Sequence, residues 1–498
     1  MLTIQKIIGI FLAFLSISLL ANEVNPNYNF KETERMILDN SLKGYPAVIG
    51  HDSTSFYVLK RLYVEFMESY NTDMELLKES DFLKVDYKLK DRHFNQVVYF
   101  QDSLYIFYSE YKFLKTYLYV KTIDKYTLEQ TSNERLVAEI PHFKTNYPEI
   151  IFKLSLLHDK LLIVFRTDAY IQKTVKFDFM VFDKGMELVW EKTDFFEYNH
   201  HPPRETTYTV DEDGNVHILS LIYEIKLLNH LLTDDALKNE YLVVSYVDKG
   251  GTVVENRLSL AENFIRGIKL IAGENGSYIC SGFYSSIYRY GIRGTFFVTN
   301  NTPTRQNAPV LYNEFTIDFF DQIPEGNKSA RTEEIYSYKI RELVLRENGN
   351  IVLCGEQVYE QNYDNVNDII IVAFNNYGHM LWNRTIPKIQ SGNEYNSFCV
   401  VAPVTENDVC ILYNEHYKNP MDYENKEFKR KSFHYSSPSY LVLNRIDEFG
   451  NITREKIMSR TKKELIPDPT KTYDLRNGEI IMFESRYRKY KYFWLTLF

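Results

Sequence analysis

The chain has 498 residues, among them 40 Tyr, 33 Phe and 3 Trp against only 20 Gly and 15 Pro, with 25% charged; that balance excludes disordered, collagen-like and disulfide-scaffold chains. The formal net charge is −9, so phosphate backbones are repelled and nucleic acid is not expected as a partner. A chain of this length holds either several ordinary domains or one all-β assembly built from repeats.

At the N-terminus Lys6 precedes an unbroken apolar run over residues 7–15, continued over 16–20 and closed by Ala21 before the polar Asn22-Glu23. This reads as a secretory signal peptide, residues 1–21, rather than as a membrane anchor, because the run is short against the roughly 20 residues a spanning helix needs. No Cys lies near the cut, so a lipoprotein anchor is not indicated. The expectation is a secreted or periplasmic protein whose residues 22–498 form one domain, with no transmembrane span after cleavage and a monomeric state.

From about residue 100 one phrase recurs every 45 to 65 residues. A polar turn opens into an apolar strand at Gln101-Asp102-Ser103, His158-Asp159-Lys160, Asp213-Gly214-Asn215, Asn275-Gly276, Asn348-Gly349-Asn350, Asn407-Asp408 and Asn477-Gly478. A connection of variable length leads to a second strand, and a tight turn such as Asp183-Lys184-Gly185 or Asn376-Tyr377-Gly378 leads to a third. Asp, Asn and Gly suit such turns because they tolerate positive φ.

Many of these strands are apolar at consecutive positions, the pattern of sheets buried on both faces. Antiparallel meanders stacked against one another in this way predict an all-β fold, a single β-propeller of seven or eight four-stranded antiparallel blades. A β-sandwich, the alternative, leaves each outer sheet face polar. The last repeat is incomplete, so residues 28–38 or 45–49 are expected to pair with the C-terminal segment and close the fold. Cys280, Cys354, Cys399 and Cys410 sit within apolar strands and read as packing residues, Cys399 and Cys410 falling out of register for a direct bridge.

Two stretches, GFYSSIYRYGIRGTFFVTN and ENGNIVLCGEQVYEQNYDNVNDIIIVAFNNYGHMLWNRTIPKIQ, together with the opening IGHDSTSFYVLKRLYVEF, resemble a group of secreted Bacteroidota proteins with propeller repeats and no established activity. That resemblance implies fold and compartment. The strand pairs ending in Trp190 and Trp382 are also similar to pyrroloquinoline-quinone-type propeller repeats; only these two copies carry the Trp, and no cofactor is expected.

In such a fold the tight turns and the variable connections emerge on opposite sides. The elaborated side comprises residues 224–240, 285–293, 359–368 and 415–439, with the His200-His201-Pro202-Pro203-Arg204 loop. Its candidate binding residues are His200, His201, Arg204, Tyr284, Tyr288, Arg289, Tyr290, Arg293, Tyr359, Tyr363, His416, Tyr417 and Tyr423, side chains that supply flat amphipathic contacts and hydrogen bonds. Adjacent histidines in an extended segment point to opposite sides, so no metal is expected at His200-His201. Asp211-Glu212-Asp213-Gly214-Asn215 lacks the distal bidentate Glu of a calcium loop and reads as a hairpin turn.

Zinc-protease, nucleophile-elbow and nucleotide-binding signatures are missing from the sequence. The leading expectation is therefore a non-catalytic binding platform for a protein or glycan. A carbohydrate-active hydrolase or lyase using carboxylates from several blades is the alternative, and a quinone-type oxidoreductase is third.

Overall fold

The computed structural model describes residues 24–37, 46–61, 65–80, 92–131, 134–142, 146–169, 173–198, 202–223, 239–260, 263–286, 291–300, 308–323, 334–361, 363–391, 398–401, 407–421, 430–475, 477–486 and 489–497. The expected signal segment lies outside them. Among the described residues no helix is long and apolar enough to cross a membrane.

β1 (Phe30–Glu32) and β2 (Met36–Ile37) precede the first of eight four-stranded antiparallel sheets. Blade I is β3 (Ala47–His51), β4 (Ser55–Arg61), β5 (Glu65–Asn71) and β6 (Leu76–Ser80); blade II is β7 (Arg92–Phe100), β8 (Ser103–Lys112), β9 (Lys115–Ile123) and β10 (Arg135–Pro141). Blade III holds β11 (Glu149–Leu154), β12 (Leu161–Ala169), β13 (Thr174–Phe182) and β14 (Leu188–Glu197), and blade IV β15 (Arg204–Val210), β16 (Val216–Tyr223), β17 (Glu240–Val247) and β18 (Thr252–Leu258). In blade V, β19 (Phe264–Ala272), β20 (Tyr278–Ser285), β22 (Gly294–Thr299) and β23 (Leu311–Glu314) form the sheet, while β21 (Gly291–Ile292) pairs with β24 (Ile335–Tyr336). Blade VI is β25 (Tyr338–Leu345), β26 (Ile351–Gln361), β27 (Tyr363–Phe374) and β28 (Met380–Ser391), and blade VII is β29 (Phe398–Val401), β30 (Val409–His416), β31 (Ser439–Ile446) and β32 (Ile452–Arg460). Blade VIII combines β33 (Ile466–Asp474), β34 (Glu479–Arg486) and β35 (Lys489–Thr496) with β1 from the other end of the chain.

The fold is thus a β-propeller with eight blades. The expected terminal pairing is made by the first of the two candidate segments: Phe30 stands opposite Leu495 and Met36 opposite Tyr490. Residues 47–49, the second candidate, belong to blade I. Two compact units partition the chain, one of Lys43–Ser69 and Leu77–Leu343, the other of Met1–Leu42, Tyr70–Leu76 and Val344–Phe498.

Within each unit the consecutive apolar residues find a partner on both faces of the sheet, because successive side chains of a strand point to opposite sides. In β12, Leu161, Ile163 and Phe165 pack with Phe107 and Leu118 of blade II, whereas Leu162 and Val164 pack with Val216 and Val244 of blade IV. In β30, Val409, Ile411 and Tyr413 join Val352 and Ile371 of blade VI, and Cys410 and Leu412 join Ile480 and Met482 of blade VIII. All ten of these strand residues are 0% exposed, each contributing about 1.5–3 kcal/mol relative to an exposed position if it is a large aliphatic or aromatic side chain.

Trp190 of β14 and Trp382 of β28 each latch one blade to the next. Trp190 donates to the Gly214 carbonyl (2.9 Å) and Trp382 to the Glu448 carbonyl (2.9 Å). Each indole also lies beneath a turn glycine at positive φ. A Cβ on Gly250 or Gly450 would stand 2.8 or 2.6 Å from the ring, so these turns need glycine for closeness as well as for backbone freedom.

Cys280, Cys354 and Cys410 are buried, and burial pushes the Cys280 thiol up. Cys399 faces Leu412 across the ladder while Cys410 faces Val401, the offset anticipated from the sequence. One expectation needs correction. Residues 359–368 are not a loop: the β26–β27 ladder continues through Tyr359↔Asn365 to Gln361↔Tyr363, because pairing uses backbone groups that Asn and Asp carry like any other residue.

Candidate functional site

The turns joining first to second strands, and third to fourth, are cross-linked into a rigid end. Asp211 Oδ1 accepts from the backbone N–H of Asp213 (3.0 Å) and Asn215 (2.7 Å), and its Oδ2 accepts from Asn215 Nδ2 (2.7 Å) and from the Gly276 N–H of the next blade (3.3 Å). Burial raises the Asp211 pKa. Its oxygens are thus occupied by the turn, as hairpin chemistry requires. Glu212 likewise accepts from Ser155 Oγ (2.5 Å) and the Leu157 N–H (2.6 Å) of blade III. Lys125 joins Asp102 (2.6 Å) to Asp52 (2.9 Å); although burial pulls the Asp52 carboxyl upward, hydrogen bonds from Lys125, Thr54 and Tyr57 hold it well below the usual range.

In blades of each unit, towards the turn between second and third strands, the apolar interior gives way to ion pairs that are buried or half-buried. Glu68 pairs with Lys60, Asp168 with Arg166 (3.0 Å), Glu356 with Lys388, and Glu484 with Arg460 (2.6 Å) and Lys491 (3.4 Å). These carboxylates are engaged by cations, which offsets part of the cost of taking charge out of water.

Residues 416–421 and 430–439 of blade VII form a surface beyond its second and third strands. Its base is Glu415, 1% exposed: Oε1 accepts from Asn419 Nδ2 (2.6 Å), and Oε2 accepts from Arg454 (3.0 Å) and Arg430 (3.3 Å). Asn419 and Lys431 exchange bonds of 2.7 Å each way, and the Tyr417 N–H donates to the Pro438 carbonyl (3.2 Å). Phe433, fully buried against Ile466, exchanges backbone bonds with Ile389 and Ser391 of blade VI. On this pinned base His416 packs on Tyr417 (centroids 5.0 Å apart) and His434 on Tyr435 (4.9 Å), and Lys418 lies over the Tyr417 ring (5.4 Å). Burial first, then Lys431 and Lys418, lowers the His416 pKa. Lys418, Lys431 and Tyr435 are exposed. The arrangement offers rings for stacking and ammonium groups for hydrogen bonds, on a backbone that need not reorganise.

Of the residues singled out from sequence, His416 and Tyr417 lie on this surface. Arg204 is exposed at the start of β15. Arg293 is held by Glu314 (2.5 Å). Tyr284 faces a neighbouring blade instead of solvent: it is 4% exposed, stands edge-on to Tyr312 (5.1 Å), and burial pushes its hydroxyl up to about 12. Tyr359 and Tyr363 occupy the β26–β27 ladder. His200, His201, Tyr288, Arg289, Tyr290 and Tyr423 lie outside the described residues.

Sequence reasoning missed Lys418, Lys431, His434 and Tyr435, although they stand in a connection it had marked. It also missed a ring cluster in blade II and its neighbouring connection, where Tyr111 contacts His93 (4.8 Å) and Tyr147 (4.2 Å), and Tyr147 contacts His142 (5.0 Å). The available signal was Tyr and His recurring at the ends of strands.

No known protein family matches the chain, and no curated protein does. Solved structures similar to it include a polysaccharide lyase of family PL25, an ulvan lyase (9% identity, 93% of this chain and 95% of that one, TM-score 0.38). Others are prolyl oligopeptidase B from Galerina marginata (10%, 92% and 55%, 0.39) and an apocarotenoid oxygenase from Synechocystis (10%, 90% and 96%, 0.35). Likenesses this remote transfer no activity.

Proposed function

We propose that the protein is a secreted or periplasmic binding platform, without chemistry of its own, that takes a protein or glycan at the end of the blades carrying the long connections. One observation carries this reading: the described parts of the blade VII connection are anchored on Glu415 and Phe433, with Lys418, Lys431 and Tyr435 exposed beside the half-buried rings of His416, Tyr417 and His434. Rings with two side-chain torsions lose little entropy on contact, and a pinned backbone loses less still. The buried Glu356 and Glu484 carboxylates are each tied to a cation of their own blade or its neighbour, which fits a structural role for them.

The test is a thermal-shift and calorimetric screen of residues 22–498 against neutral and acidic oligosaccharides and peptides. A ligand whose binding is weakened at least roughly tenfold by Y417A/H434A/Y435A, with the melting temperature of the free variant maintained, supports the reading. Binding that the variant leaves unchanged places the ligand elsewhere and refutes it.

A further inference from the structure

β8 turns into β9 through two residues. Lys112 and Lys115 are the closing pair of the ladder, and Phe113 and Leu114 between them have φ of +47° and +65°. A two-residue turn with positive φ at both positions is the one for which Asn-Gly is favoured; for bulky side chains it is a steric outlier. The chain contains its own comparison. Met74, Leu128 and Met186 also have positive φ, and they are 2%, 0% and 2% exposed, so burial within the protein offsets their strain. Phe113 is 94% and Leu114 53% exposed. Exposed polar residues such as Glu205 and Lys249 also have positive φ, but two large apolar side chains left in solvent on a left-handed turn point to a partner outside the chain.

The residues around the tip define what receives it. Reading outward on both strands, Phe113 and Leu114 are flanked by Lys112 and Lys115, and these by Tyr111 and, one residue further, Tyr117. Both lysines are about half exposed and paired with carboxylates, Lys112 with Glu110 (2.5 Å) and Lys115 with Glu139. Tyr111 adjoins Tyr147, itself 48% exposed. A sugar covers one face of a ring and leaves a protruding tip wet. A protein pocket deep enough for Phe113 and Leu114 must also desolvate the adjoining ammonium groups. A phospholipid bilayer meets all three layers: acyl chains for Phe and Leu, phosphates for ammonium groups that snorkel on flexible stems, and the interfacial zone for Tyr.

We propose that the Phe113–Leu114 tip docks into the surface of a phospholipid bilayer. Contact through one such tip is weak and reversible, since stable anchoring takes a second signal.

The experiment is co-sedimentation of residues 22–498 with vesicles of phosphatidylethanolamine and phosphatidylglycerol, with thermal unfolding recorded for each variant. The expected result is that F113N/L114G partitions at least roughly tenfold less than the parent while melting at a higher temperature, because Asn and Gly relieve the turn. K112S/K115S loses a smaller, severalfold part that high salt removes from the parent too. A parent that stays in the supernatant, or either variant sedimenting like the parent, overturns the proposal, and F113S keeps Leu114 as a control for the turn itself.

Discussion

Lys388→Met isolates a charge buried in blade VI. Lys388 and Glu356 are both 0% exposed and form an ion pair; Lys388 Nζ also donates to Gln390 Oε1 (2.9 Å), and Gln390 Nε2 donates to the Asn414 carbonyl of blade VII (2.8 Å). The pair is closed off from water: Ile369 stands opposite Glu356 in the ladder, the Phe398 ring lies 6.0 Å from the ammonium, and the Lys388 backbone N–H donates to the buried Asp368 carboxylate (3.2 Å). Removing the ammonium takes its cation from Glu356 at a site closed to water, which costs about 3–5 kcal/mol. Replacing both partners with apolar side chains of similar volume removes the charge with its partner, so E356L/K388M should recover most of that loss. Urea denaturation at neutral pH measures both, as a fall in midpoint at unchanged slope. A single variant within about 1 kcal/mol of the parent, or a double variant no better than the single, would refute the desolvation argument.

Gly450→Ala should destabilise by about 2–5 kcal/mol, combining the cost of a Cβ at φ +82° with its clash on Trp382 2.6 Å away; thermal unfolding followed by Trp fluorescence reports it. F113N/L114G should gain about 1–3 kcal/mol by relieving two left-handed residues, read as a higher urea midpoint. Acid sensitivity should depend on His217, fully buried beside Ser245 Oγ (2.8 Å), whose pKa burial lowers to about 3. The unfolded chain then binds the extra proton below about pH 6.5. Stability from this group is present above that pH and lost as pH falls towards 3, by about 2 kcal/mol between pH 7 and pH 5. His217→Gln should lose that much less over the same interval, measured as urea midpoints at the two pH values.

The blades were legible because their second and third strands are apolar on both faces and bounded by turns such as Asp211 to Asn215, whose side chains have one way to satisfy the backbone. The first strands were not. β7 carries the polar His93, Asn95 and Gln96 in its first half, and β33 contains Pro467 and Pro469, so neither is apolar throughout. Residues 359–368 read as a loop because Asn and Asp are poor strand formers, yet a ladder already begun at Ile351↔Phe374 extends through them. At the candidate site, His416 and Tyr417 were visible as rings in a long connection. Phe113 and Leu114 were not, since connection length was the signal sought and theirs is two residues; nothing in the sequence marks a Phe as left-handed and exposed.

The most direct test of the binding-platform reading is prolonged incubation of residues 22–498 with the oligosaccharide or peptide that raises its melting temperature, followed by mass spectrometry of that ligand. The reading predicts that the ligand is recovered intact at every time point. Fragments that accumulate with time, and that vanish when a single acidic side chain is neutralised, would contradict it.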